Sequence, residues 1–288
     1  MLHKIKDVIE LTKPGISALV LLTTAVGLLL APVKMTFLTS LSLLLGTWLL
    51  VGAANTFNCI LEKDVDAKMP RTMNRPLPTG RMTLLEATLI GSILLLVAVV
   101  ILLFTTPRIV PLLGGISFLI YVFLYTPLKR WSMSSLFVGA IPGAIPPVMG
   151  WTGNTGIISY PAWSLFAIMF LWQLPHFMAI SLNRASEYRQ TNLKVYSLIC
   201  GERVTKISIA ITTVLTVLAS LLPFFFGLVG VDYLLLALLL GTLLLMASIR
   251  GLKEKSDPAW AKNFFRLTII YLPLLFLGLV VSHYLKNS

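Results

Sequence analysis

Charge is scarce in this chain. Only 12% of its 288 residues are Asp, Glu, Lys or Arg, and the acids number 11. With 57% hydrophobic residues and a mean hydropathy of +0.90, that scarcity excludes an ordinary soluble domain and indicates a polytopic membrane protein. Cysteine is nearly absent. Cys59 and Cys200 offer no disulfide framework and no metal-ligand spacing. Both are expected near the inner face, where thiols stay reduced, and Cys59 reads as a packing residue. A cleavable leader is not expected, because the first apolar run lacks a small-residue cleavage site and opens a series of similar runs.

Nine apolar runs, near 14–32, 37–57, 84–104, 108–127, 133–150, 161–182, 206–229, 232–249 and 265–285, are long enough or nearly so to span a bilayer as helices. The expected fold is therefore all-α: one polytopic domain over residues 1–288, with nine transmembrane helices bundled around a central cavity open to the cytoplasmic side. The basic residues give the orientation. With the N-terminus inside, only Lys34, Arg108 and Lys286 of the 23 Lys and Arg fall outside, and the C-terminus lies outside. The net charge of +12 follows from this topology and requires no nucleic acid. Of the acids, Asp232 alone falls on the outer side, so chemistry is expected at the inner face. Three polar connections there are candidates, 58–83, 126–133 and 183–206. The fourth, the Lys-Glu-Lys-Ser-Asp-Pro turn after Gly251 and Leu252, reads as a charged surface turn.

The first connection carries the strongest pattern. Asn58, Glu62 and Asp66 recur every four residues, and each such step on a helix drifts only about 40°, so the three share one face. Carboxylates stacked in this way at a membrane surface suit a magnesium-bound diphosphate, whose own oxygens complete the metal's shell. Arg71, Arg75 and Arg81 follow and suit phosphate oxygens. In the second connection Tyr125 precedes Lys129 and Arg130, which read either as diphosphate ligands or as positive-inside anchors. The third repeats an Asn-to-Glu step of four at Asn183 and Glu187, a coarse echo of Asn58 and Glu62. His176, in Trp172-Gln173-Leu-Pro175-His176-Phe177, falls roughly 9 Å inside the inner end of its span at 1.5 Å per residue. An ionisable group at that depth faces a cavity or a partner helix. It could ligate a metal, donate a proton or bond a neighbouring carbonyl. Pro142, Pro146 and Pro147, set among small residues, are expected to kink the fifth span and permit close helix approach. Phe57, Tyr121, Tyr125, Trp172, Phe177 and Tyr188 are scattered near inner helix ends, where they could line a channel, most of them serving as ordinary helix packing or interface belts.

These residues resemble the UbiA-type intramembrane prenyltransferases, on their haem-modifying branch. The resemblance rests on Leu11-Thr-Lys13-Pro14-Gly15; on Asn58-Cys through Asn74-Arg75-Pro76-Leu-Pro78-Thr-Gly80; on Tyr125-Thr126-Pro-Leu-Lys129-Arg130; on the Trp172–Phe177 segment; and on Phe264-Phe265-Arg266…Tyr271-Leu. It implies transfer of farnesyl from farnesyl diphosphate to the 2-vinyl group of haem B, giving haem O, with Mg2+ as cofactor. It also implies a bacterial cytoplasmic (inner) membrane and association with haem-modifying enzymes or terminal-oxidase assembly. Asn58, Glu62 and Asp66 would hold magnesium and diphosphate. Arg71, Arg75, Lys129 and Arg130 would neutralise departing charge. Tyr125, His176, Arg184, Glu187 and Tyr188 would contact substrate, with Arg184 or Arg189 toward the haem propionates. Glu62 stands where the family usually has Asp, and the second acidic motif is reduced to Asn183 and Glu187. The rival readings are a prenyltransferase with an aromatic or quinone-precursor acceptor, a transporter gated by His176 and the proline-kinked helix, and an oxidase assembly factor.

Overall fold

The computed structural model describes residues 2–253 and 258–288, and their regular structure is helical. In chain order the helices are α1 (Leu2–Thr12), α2 (Pro14–Leu30), α3 (Phe37–Leu61), the single turn α4 (Lys63–Asp66), α5 (Leu84–Thr105) and α6 (Ile109–Leu119). A π-helical stretch, Ile120–Tyr125, leads into the short α7 (Thr126–Leu128). There follow α8 (Ser135–Thr155), α9 (Tyr160–Asn183), the short α10 (Ala185–Arg189), α11 (Tyr196–Phe225), α12 (Val231–Lys253) and α13 (Pro258–Asn287). Residues 254–257 of the charged turn lie outside the described residues.

Among the described residues seven helical runs are long and apolar enough to cross a membrane, and α1 with α2, bent by 48° at Lys13, makes an eighth. The expected fifth span coincides with α8, which is not in that set. Glycine and three internal prolines dilute its hydropathy, although almost all of its C-terminal half is buried. Helix starts follow local chemistry. Thr36 caps α3 by accepting from Thr39 N, and Thr83 and Glu86 form a reciprocal capping box at α5.

Burial ranks the helices. In the membrane-length window of α9, 61% of residues are buried, against 22% for α5, so α9 runs through the centre and α5 along the rim. One large apolar core joins α2, α8, α9, α11, α12 and α13, and a second joins α3, α5, α6 and the π-helical stretch to α8. Leu85, Leu96, Phe104, Leu235 and Leu239 remain exposed on the outer faces. On a membrane protein such apolar faces meet lipid.

Two features position the site. Pro127 lacks an N–H for the carbonyl of Phe123 and its ring crowds the preceding turn, and the chain just before it widens into the π-helical stretch. Likewise Pro146 leaves the Pro142 carbonyl without its helical donor, and Ser117 Oγ donates to it at 3.2 Å. The helices α2 and α8 approach backbone to backbone. A Cβ on Gly27 would stand 1.9 Å from Pro147 O, and one on Gly150 would stand 1.9 Å from Thr24 O.

Gly150→Ala is therefore expected to lower stability by about 1–3 kcal/mol through overpacking. Gly115→Ala, inside α6 with open space around its Cβ, should cost no stability and add up to about 1 kcal/mol through helix propensity. Thermal melting of both variants in detergent checks this.

Candidate active site

The site begins where α3 stops. Glu62 caps α3 with φ −103° and ψ 10°, breaking the regular helix before α4. Hydrogen bonds nevertheless step on by four, from Glu62 N to Asn58 O (3.0 Å) and from Asp66 N to Glu62 O (2.8 Å). Asn58, Glu62 and Asp66 therefore stay on one face, all buried and all in the wall of a cavity of about 560 Å³. Thr72 Oγ1 closes α4 by donating to Asp66 O at 2.9 Å.

The three polar connections 58–83, 126–133 and 183–206 meet over this cavity. Val65 and Met69 of the first pack on Leu193 of the third. Lys194 N donates to Lys129 O at 2.8 Å, tying the third to the second. Each buried carboxylate has a cation: Glu62 pairs with Lys129, and Arg75 donates to both Asp66 oxygens at 3.0 and 2.8 Å. Lys129 Nζ also lies over the Tyr125 ring, 4.6 Å from its centroid. Burial disfavours charge on both members of the first pair. Lys129 still pulls the Glu62 carboxyl below the usual carboxylate range, while Tyr125 and Glu62 hold the Lys129 ammonium above the usual lysine range. The pair is therefore ionised at neutral pH. Because the folded-state value of Glu62 is depressed, its stabilisation is present above the ordinary carboxylate range and lost as pH falls through the lowered value.

Lys13 is a site residue that the composition and spacing arguments pass over. It sits at the α1–α2 bend in a left-handed conformation, φ 50°, an uncommon state for a side-chain-bearing residue and disfavoured before proline. That bend sends Nζ into the cavity, where it donates to Asn58 Oδ1 at 2.6 Å. Asn58 Nδ2 in turn donates to Thr126 Oγ1 at 3.0 Å, and Thr126 Oγ1 donates to Tyr121 O at 2.8 Å. The signal available in sequence was the Lys13-Pro14-Gly15 motif itself.

Of the expected site residues, Asn58, Glu62, Asp66, Arg71, Arg75, Tyr125, Lys129, His176, Arg184 and Tyr188 all reach the cavity wall. Arg130 does not. It turns outward onto Asp64 (2.9 and 2.5 Å) and the Leu61 carbonyl (2.7 Å), since consecutive residues at a helix end point in different directions. Glu187 also stays off the wall, 3.6 Å from Arg184, while its neighbour Tyr188 takes the wall position. Arg81 faces α1, where it donates to Asp7 at 2.9 Å and Glu10 at 3.2 Å. Phe57 packs edge-on against Phe118 rather than lining the cavity. Both cysteines are free thiols.

Six cationic side chains border the cavity, Lys13, Arg71, Arg75, Lys129, Arg184 and Lys194, against the two carboxylates of Glu62 and Asp66. Below this cationic end the walls become aromatic and then wholly apolar, through Tyr121, Trp172 and Phe177 to Leu50, Phe118 and Met149. The shape suits an anionic head carrying an apolar tail.

Lys129→Met leaves the Glu62 carboxylate buried and unpaired, with an expected loss of about 2–3 kcal/mol, below the ~3–5 kcal/mol of a fully buried pair because Lys129 retains some exposure. Adding Glu62→Gln should recover most of that loss. A double-mutant cycle of melting temperatures in detergent measures the coupling.

Comparison with known proteins places this architecture. Residues 20–270 match the model of the UbiA prenyltransferase family. The chain is 41% identical over 278 residues to protoheme IX farnesyltransferase of Anaeromyxobacter dehalogenans (strain 2CP-C), covering 96% of this chain and 94% of that protein. Over 276 residues it is 42% identical to protoheme IX farnesyltransferase of Myxococcus xanthus (strain DK1622), with the same coverage of 96% and 94%. Its fold is similar to a solved structure of digeranylgeranylglyceryl phosphate synthase, with TM-score 0.83, 20% identity, and 98% and 99% of the two chains covered. It is also similar to a UbiA homolog from Archaeoglobus fulgidus bound to GPP and Mg2+, with TM-score 0.64, 13% identity, and 95% and 99% covered. This chain is a prenyltransferase and belongs to the UbiA prenyltransferase family.

Proposed function

We propose that the enzyme transfers a farnesyl group from farnesyl diphosphate to the 2-vinyl group of haem B, giving haem O. The observation that carries this reading is the cavity itself, cationic at the end where the loops meet and apolar below. It accepts a diphosphate with an isoprenoid tail, and its surplus of positive charge also suits the carboxylates of haem. The names of relatives about 40% identical over nearly the whole chain support the same acceptor. In this reading α8 completes nine membrane spans, the N-terminus and the cavity mouth face the cytoplasm, the C-terminus lies outside, and the membrane is a bacterial inner membrane.

The residues present fit a magnesium ion. Asn58, Glu62 and Asp66 set three hard oxygen donors along one face, the donor type such an ion takes. Among the described residues no group of three or more His, Cys, Asp or Glu side chains forms a cage, so diphosphate oxygens would complete the shell. When bound, magnesium supplies positive charge to the departing diphosphate.

The chain's own residues then divide the work. Lys13, Arg75 and Lys129 stabilise the negative charge that builds on diphosphate as the farnesyl C1–O bond breaks and the oxygen keeps the electron pair. Tyr121 and Tyr125, whose ring centroids lie 5.4 Å apart in the cavity wall, offer ring faces to the allylic cation. The apolar walls below exclude water from it. The vinyl π electrons of haem form the new bond to C1, and the resulting cation beside the porphyrin takes up water and releases a proton.

Purified protein incubated with haem B, farnesyl diphosphate and magnesium is expected to yield haem O by mass spectrometry. The yield should vanish with a chelator and fall at least ~100-fold in Asp66→Ala and in Glu62→Gln, the scale of losing one transition-state charge contact. Product from an aromatic acceptor but none from haem B would replace the acceptor. Lys13→Met is expected to cut kcat/KM for farnesyl diphosphate about tenfold or more, the loss of a charge-assisted contact, with an unchanged KM for haem B. Steady-state kinetics read both constants.

A further inference from the structure

The surroundings of His176 fix which of its ring nitrogens carries the proton. Nδ1 lies 2.7 Å from Thr268 Oγ1 on α13. That hydroxyl is itself 2.6 Å from the Phe265 carbonyl oxygen, which can only accept, so the single threonine proton points there. Toward the imidazole Thr268 is therefore the acceptor, and Nδ1 carries the ring proton. Nε2 keeps its lone pair. It has no hydrogen-bond partner among the described residues and is not among the polar atoms sealed from solvent, while the ring borders the cavity.

The ring is also held in place. Trp172 stacks on it, with centroids 4.6 Å apart and planes at 23°, and Phe265 lies 4.9 Å away. Trp172 Nε1 donates to the carbonyl of the same Thr268 at 2.9 Å. One fully buried residue thus fixes both the tautomer of His176 and the indole against which it stacks. The neighbouring Gln173 is turned to the Ala140 and Met169 carbonyls and does not compete for the space.

We propose that Thr268 is a positioning residue that presents His176 Nε2 as an axial ligand to the iron of the porphyrin acceptor. This rests on the reading that the acceptor is haem. A neutral imidazole whose other nitrogen donates to a fixed oxygen is the form in which histidine binds iron, and the outer hydrogen bond orients the ring and raises its basicity. Ligation from α9 holds the macrocycle by its centre, so a vinyl edge can meet the prenyl donor bound at the cationic end.

The test titrates the purified full-length chain in detergent with ferric haem B, without prenyl diphosphate, and follows the absorption and electron paramagnetic resonance spectra. Wild type is expected to show a nitrogen-ligated ferric haem. His176→Gly should lose that signature and bind haem about tenfold to a hundredfold more weakly, and added imidazole should restore the signature. Thr268→Val should shift the signature and weaken binding about tenfold, while Thr268→Ser should match wild type. Melting curves and magnesium-diphosphate binding establish that each variant is folded. Haem bound with an unchanged spectrum in His176→Gly would overturn the ligation and leave haem as acceptor. Folded wild type that binds no haem would overturn both.

Discussion

Two carboxylates buried in the cavity wall must each meet a cation, and the half of the molecule that holds them is arranged around that requirement. A lone buried carboxylate would be protonated or would unfold its surroundings. Glu62 is answered by Lys129 from the end of α7, and Asp66 by Arg75 from the loop beyond α4. The Glu62–Lys129 pairing draws the second connection onto the first, and Leu193 and Lys194 of the third then close over them. The result is a polar floor carrying more positive charge than negative. In the proposed reaction that surplus receives diphosphate, so the arrangement that stabilises the empty protein also prepares it for an anion.

The bilayer half provides the complementary space. Glycines at the α2–α8 crossing let backbones touch, while proline positions loosen the helical ladder where side chains take over its carbonyls. Pro127 follows the widened stretch that sets Tyr121 and Tyr125 in the wall, and Pro146 hands the Pro142 carbonyl to Ser117. Where Pro146 opens the ladder beside the apolar shaft, the freed carbonyl has found a side-chain donor, as a lipid environment requires.

How much of this was legible in the sequence depends on the range of the interaction. The Asn58–Glu62–Asp66 face was legible because helical periodicity is local and survives the break at Glu62. Span positions were legible from hydropathy, except that α8 gives a weak signal because its prolines and glycines serve packing. Arg130, Arg81 and Glu187 were read by proximity to the motifs, but their directions are set by Asp64, Asp7 and Arg184, which spacing does not reveal. Lys13 depends on a left-handed backbone that local rules disfavour before proline. The Thr268 contact with His176 joins residues 92 positions apart, and no periodicity carries such a pairing.

The most direct measurement is a crystal structure with manganese in place of magnesium and a non-hydrolysable farnesyl thiodiphosphate. An anomalous peak within bonding distance of Glu62 and Asp66, with Lys13, Arg75 and Lys129 on the diphosphate oxygens and the tail running toward Leu50 and Met149, is the expected result. A diphosphate bound elsewhere, with both carboxylates still held by Lys129 and Arg75, would contradict the assignment of this cavity as the site of transfer.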